Sequence, residues 1–234
     1  MALMIDNKLL FFHVPKTGGK WLTRVLKDSE KISLKEIGHK HATYDFICGM
    51  KYKPRDTVLN RALFHLKRSR FNNNFRLNKD YKIVSVVRNP LKWYESLYQY
   101  LAETSFRKWG EKGDFDIWHP WSELNHYRNE TFNDWMKDIN EFSKGYCTNL
   151  FNSYTRGSNS IILKNENLRN EFLELCIQER IKIDQEKLMN FDDINVSKKL
   201  NIKWDREVYQ NVLDFDSATF SKYDYDVEGI VDFN

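Results

Sequence analysis

LLFFHVPKTGGKWL, residues 9 to 22, runs from an unbroken apolar stretch through a Gly-bearing turn into a new apolar-periodic segment at Trp21 and Leu22. Consecutive large apolar residues bounded by a turn suit a parallel strand covered on both faces. Lys8 to Val14 therefore reads as a first buried strand, and Gly19 to Lys27 as the helix above it. Between them lies a phosphate-sized loop carrying Lys16. A helix N-terminus presents backbone N–H groups and the positive end of its dipole, which together attract anions, and Lys16 adds a mobile full charge. The Walker A loop places a Gly six positions before its Lys and Ser or Thr directly after it. Here Val14 stands where that Gly would fall before Lys20, and Trp21 follows Lys20. The pattern is a different anion loop, Pro15-Lys16-Thr17-Gly18-Gly19-x-Trp21.

Working outward, Tyr81 to Val87 (YKIVSVV) is β-branched, preceded by Asp80 and followed by Asn89-Pro90, and reads as a second strand. Leu91, Tyr94, Leu97, Tyr98 and Leu101 then recur at helical spacing. Thr131 to Phe142 and Cys147 to Tyr154 look helical, Ser160 to Lys164 is a third strand, and Glu166 to Arg180 a helix packing back. Trp204, Val208, Val212, Phe215 and Phe220 form a helical stripe between Lys203 and Tyr223. The stretch from Ser29 to Lys79 is looser, and Thr104 to Asn129 reads as a long ordered loop or lid. Strands alternating with helices imply an α/β fold, a three-layer core with a mainly parallel central sheet flanked by helices. A length of 234 residues suits one domain spanning 1–234.

Hydrophobic residues at 41% and aromatics at 15% argue against disorder. Lys plus Arg exceed Asp plus Glu by only 37 to 33, too mild an excess to demand a nucleic-acid partner, though it suits a small polyanion. Cys48, Cys147 and Cys176 are scattered and odd in number, which fits a reducing, cytoplasmic setting. Asp6, Asn7 and Lys8 interrupt the N-terminal apolar residues before they reach membrane-spanning length, and no basic leader precedes them. The expectation is a soluble protein with no membrane partner.

A second cationic site follows the second strand in VVRNPLKWYESLYQYL, residues 86 to 101, where Arg88 leaves the strand and Ser96 lies eight residues on. Ligands of open α/β sheets bind outside the carboxyl ends of the strands, so two cationic strand ends point to a ligand with two separated phosphates. Taken singly, Arg88 also reads as a surface ion-pair residue and Ser96 as a solvent-facing helix Ser.

Together, Pro15-Lys16-Thr17-Gly18-Gly19-x-Trp21 and Arg88-Asn89-Pro90 with Ser96 resemble the sulfotransferases that use 3′-phosphoadenosine 5′-phosphosulfate (PAPS). Glu166-Asn167-Leu168 after a strand and Asn195-Val196-Ser197 before a final helix resemble further elements of that family. The resemblance implies a P-loop-like version of the fold and PAPS as donor. Lys16 then follows the bridging oxygen as charge grows on the leaving phosphate, which is electrostatic catalysis with little covalent demand. Thr17, Gly18, Gly19 and Lys20 contact the 5′-phosphate, and Arg88 and Ser96 hold the 3′-phosphate. Trp21 either stacks on adenine or packs in the core. Ser197, Lys198 and Lys199 stand in for the missing C-terminal donor loop of the cytosolic branch.

Transfer to a hydroxyl needs a base, and His is the side chain tuned near neutral pH. His39-Lys40-His41-Ala42-Thr43-Tyr44-Asp45-Phe46 resembles the His-x-His segment of heparan sulfate 2-O-sulfotransferases and the Lys-His-Ala-Thr segment of small bacterial carbohydrate sulfotransferases. The resemblance selects His41 as base, with His39 as helper or substrate contact, and the expected acceptor is a hydroxyl on a glycan or a small molecule. Without it, a His-x-His pair is a helix cap or surface feature. No third residue has convincing metal-ligand spacing, so no metal is expected. Trp109, Phe115, Trp118, His119, Trp121, His126 and Tyr127 either line an acceptor site or anchor the lid. The run Arg61, Lys67, Arg68 and Arg70 reads as a solvated helix face or a contact for an anionic acceptor. Two other classes compete: a nucleotide-dependent kinase, disfavoured by the failed Walker order, and a silent carbohydrate- or nucleic-acid-binding module on the same scaffold.

Overall fold

The computed structural model describes residues 2–38, 41–48, 81–103, 124, 127, 129–157, 159–193 and 200–234. In chain order they form β1 (Ala2–Ile5), β2 (Leu9–Phe12), α1 (Gly19–Lys27), β3 (Leu34–Ile37), α2 (Tyr44–Cys48), β4 (Lys82–Val87), α3 (Pro90–Glu103), α4 (Phe132–Phe142), α5 (Tyr146–Tyr154) and β5 (Ser160–Lys164). A 3-10 turn (Asn165–Asn167) leads into α6 (Leu168–Gln178), followed by α7 (Gln185–Met189), β6 (Lys203–Trp204), α8 (Arg206–Phe215), α9 (Ser217–Lys222) and β7 (Asp232–Phe233). The chain divides into two compact units, Met1–Val87 with Ser153–Ile194, and Arg88–Asn152 with Asn195–Asn234.

The first unit holds a five-stranded sheet in the order β3-β1-β2-β4-β5. β2, β4 and β5 pair in parallel, whereas β1 is antiparallel to both β2 and β3. Four of the five strands therefore run the same way, and the α/β expectation of a mostly parallel central sheet flanked by helices holds. Side chains alternate across a strand, so Leu9 and Phe11 of β2 join Val84, Val86 and Leu163 in one cluster with Leu22, Val25 and Leu26 of α1 and Phe172, Leu175 and Cys176 of α6. On the opposite face Phe12 meets Tyr44 of α2, ring centroids 6.3 Å apart. Burying a side chain of this size contributes about 1.5–3 kcal/mol, which is why unbroken apolar strands lie inside the sheet.

Two strands of this sheet escaped the sequence reading. Asp6, Asn7 and Lys8 do not merely break the N-terminal apolar residues; they turn a hairpin. Asp6 and Asn7 take φ of 48° and 53°, and Lys8 N–H donates to the Ile5 carbonyl at 2.9 Å. Asp and Asn enter the left-handed region more readily than most residues. The first strand in the chain is therefore β1, and the strand expected over Lys8 to Val14 is the shorter β2. The looser stretch after Ser29 contains β3, whose start is tied down where the Asp6 carboxylate accepts Ser33 N–H at 2.8 Å.

The second unit is mainly helical, with β6 and β7 paired in parallel. Trp93, Tyr94, Trp135, Phe151 and Trp204 are fully buried in it. A buried carboxylate organises its centre: Asp216 accepts the Tyr94 O–H at 2.9 Å and the Thr148 N–H at 2.7 Å, while Cys147 N–H donates to the Tyr94 oxygen at 3.1 Å. Burial raises the Asp216 carboxyl above the usual aspartate range and pushes the Tyr94 phenol well above its ordinary value. Among the described residues no helix is long and apolar enough to cross a membrane.

Candidate active site

The loop between β2 and α1 is built by its own side chains and by two glycines. Val14 N–H returns to the Phe12 carbonyl at 3.0 Å, and the fully buried Thr17 hydroxyl donates to the Val14 carbonyl, also at 3.0 Å. Thr17 thus shapes the loop with its side chain. Lys16 is half-buried and takes φ of 62°. A non-Gly residue held in that region costs of order 1 kcal/mol or more, and such strain persists where the surroundings enforce it. Gly18, at φ 82°, is the N-cap of α1; no side chain caps the helix there, and its first turn has no acidic residue. Those features keep the positive end of the helix dipole next to Lys16.

The two glycines answer to different neighbours. A Cβ on Gly18 would stand 2.6 Å from Asn165 Nδ2 and 2.9 Å from Leu168 Cδ2. The turn that closes on the loop thus includes part of the Glu166-Asn167-Leu168 stretch singled out in the sequence. A Cβ on Gly19 would stand 2.9 to 3.0 Å from three atoms of the His13 imidazole. His13, only 5% exposed at the end of β2, meets His41 edge-on, with ring centroids 5.3 Å apart and planes at 85°. His41 is half-buried, and its carbonyl accepts the Tyr154 O–H at 3.0 Å. The Tyr154 carbonyl in turn accepts the hydroxyl of Ser85, buried in the middle of β4. Just after His41, Asp45 pairs with Arg156 at 2.9 Å. The anion loop and the expected base are therefore linked through one imidazole, His13, which the sequence reading passed over. Its signal was a lone titratable residue closing an apolar strand immediately before the Lys16 loop.

Trp21 is 6% exposed and belongs to the core cluster of the first unit. Arg169 lies over its ring at 5.0 Å and Phe191 meets it edge-on at 6.4 Å. Of the two roles left open for it, the structure displays packing. Lys20 is exposed on the first turn of α1.

In the second unit, Arg88 directly follows β4 in the chain and is half-buried, as is Ser96 on α3. The Asn-Pro pair after Arg88 starts that helix: the Asn89 side chain accepts Leu91 N–H at 3.0 Å and donates to the Asp226 carbonyl at 3.0 Å, while Pro90 occupies the first turn, where its missing N–H is no loss. Trp93 is fully buried and stacks on Tyr146 at 6.2 Å.

His39, Trp118, His119, Trp121, Ser197, Lys198 and Lys199 lie outside the described residues, as do the basic run from Arg61 to Arg70 and Trp109, Phe115 and His126. Tyr127, the described member of the aromatic cluster, stacks on Phe142 at 6.0 Å. Comparison of the chain with protein-family models, with curated proteins and with solved structures returned no match.

Proposed function

We propose that this chain is a sulfotransferase that moves a sulfuryl group from PAPS to an acceptor hydroxyl, with a carbohydrate as the acceptor class, on a P-loop-like α/β fold. The observation that carries the reading is the Lys16 loop. A lysine in a left-handed backbone conformation sits at the end of a strand, beside an uncapped helix N-terminus, and the His13–His41 imidazole pair closes on the same turn.

In this reading the acceptor oxygen attacks sulfur in line as the bond from sulfur to the bridging phosphate oxygen breaks. His41 takes the acceptor proton, and 3′,5′-adenosine bisphosphate leaves. Lys16 and the first-turn N–H groups of α1 bear on the oxygen where negative charge grows, an effect largest when the donors are already in place. Such a step asks for position and charge rather than covalent help, as in phosphoryl transfer. The 3′-phosphate is assigned to Arg88 and Ser96 on their motif. His39 remains the proposed helper, Lys20 a phosphate contact, and Ser197 to Lys199 the closing segment.

Calorimetry tests the donor assignment: 3′,5′-adenosine bisphosphate should bind tightly without magnesium, and a preference for ATP with magnesium would replace this reading by a kinase. Transfer of labelled sulfate to a panel of glycans and small alcohols, scored by mass shift, tests the reaction. Lys16→Ala and His41→Ala should each abolish it with the fold intact.

A further inference from the structure

We infer that His13 is a positioning residue: it fixes the imidazole of His41, and Gly19 is glycine because the His13 ring occupies the space its side chain would need. The inference rests on the sulfotransferase reading and names a residue that the reading did not use.

Gly19 opens α1 and is absent from the glycines held at positive φ, so its backbone conformation does not require glycine. Glycine is the poorest helix former after proline; something other than backbone geometry keeps it there. What a methyl at Gly19 would meet is Cδ2, Cγ and Nε2 of His13, all at 2.9 to 3.0 Å. The ring of Phe11, on β2, lies 6.4 Å from that of His13. Held in this way, the His13 ring presents itself to His41 in the edge-to-face arrangement that rings prefer. His41 is then fixed twice, through its carbonyl by Tyr154 and through its ring by His13. A base that receives a proton from an attacking hydroxyl must hold its nitrogen in line with that proton, and a displacement near 1 Å is enough to lose about 10²-fold in rate.

The test is a double-mutant cycle on the full chain. His13→Ala should lower kcat by about 10- to 100-fold while the dissociation constant for 3′,5′-adenosine bisphosphate stays within about twofold. In a His41→Ala background whose transfer is partly restored by added imidazole, the same change should cost less than about threefold, because an effect acting through His41 disappears with it. His13→Phe, which keeps a ring in the space beside Gly19 and His41, should retain most of kcat and guards against a His13→Ala chain that fails to fold. Equal losses in both backgrounds, or a loss of nucleotide affinity matching the loss of kcat, overturn the inference. A wild-type chain that neither binds the bisphosphate nor transfers sulfate defeats the functional reading instead. The ring pairing is then decided by proton NMR: nuclear Overhauser contacts between the His13 and His41 rings, shifted in Gly19→Ala, support it, and their absence refutes it.

Discussion

Gly18→Ala offers the most direct measure of how tightly the anion loop is built. Two effects add. Alanine at φ 82° costs about 1–2 kcal/mol through the clash between Cβ and the carbonyl. The new methyl also meets Leu168 Cδ2 at 2.9 Å, and Leu168 belongs to the core cluster, so it cannot swing into solvent. Overpacking of this kind typically costs about 1–3 kcal/mol. Asn165 Nδ2 is nearer still, at 2.6 Å, but it is the tip of a half-buried polar chain and rotates away at little cost. The sum is about 2–5 kcal/mol, which for a chain of this size lowers Tm by roughly 4–20 °C. Urea unfolding followed by circular dichroism measures the loss. A second variant separates the two effects: Leu168→Val removes the obstructing carbon and by itself costs about 1 kcal/mol, as other single-methylene deletions do. Combined with Gly18→Ala, it should recover about 1 kcal/mol or more relative to the sum of the single changes. Strict additivity, or an unchanged Tm for Gly18→Ala, would show that the β5–α6 turn does not close on the loop.

Lys16→Gly should separate stability from activity: relief of the left-handed lysine leaves the fold equally stable or up to about 1 kcal/mol more stable, while sulfate transfer falls to background. Tyr154→Phe removes the hydroxyl that holds the His41 carbonyl, and should cost about 1 kcal/mol by urea titration with a severalfold loss of kcat and unchanged bisphosphate affinity; full activity would detach Tyr154 from the site. In the second unit, folding raises the pKa of Asp216, so above the ordinary value of 3.8 the folded chain binds more protons than the unfolded one. That contribution to stability is complete at low pH and is lost as pH rises toward the raised value, by at most about 1.4 kcal/mol per pH unit. Unfolding titrations of wild type and Asp216→Asn should therefore diverge in favour of Asn as pH increases across that window, and parallel curves would refute the charge-burial argument. Gly145→Ala, whose Cβ would stand 2.8 Å from the Phe215 carbonyl oxygen, should be among the most damaging glycine changes, because backbone yields less than a side-chain tip.

Local chemistry made much of the first unit readable. β4 and β5 announce themselves as β-branched runs between breakers, and α1 begins where the glycine pair ends. Short strands were harder. β1 has four residues and depends on pairing with β2 and β3, and β3 (LKEI) has only Ile37 fully buried. Such an edge strand is set by its neighbour rather than by its own pattern. At the candidate site, Lys16 stood out in the sequence by its place in a Gly-bearing loop after an apolar strand, and His41 by the resemblance of its segment. His13 did not, since its importance lies in two contacts, with Gly19 and His41, that appear only when strand end, helix and loop are assembled. Trp21 shows the reverse: its motif position favoured a ligand as much as a core, and burial under Arg169 and Phe191 came from segments nearly 150 residues or more away.

The chain passes between the two units three times, at Val87–Arg88, Asn152–Ser153 and Ile194–Asn195. During synthesis the sheet therefore waits for β5, the neighbour of β4, until the ribosome has delivered the whole first segment of the other unit; at about 5–20 residues per second that is a delay of several seconds. Throughout that interval the apolar edge of β4 has no strand beside it, which makes the nascent chain a natural client for chaperones. It also means that one proteolytic nick in any of the three connections leaves both halves covalently joined, and that neither can be cloned as a single uninterrupted fragment.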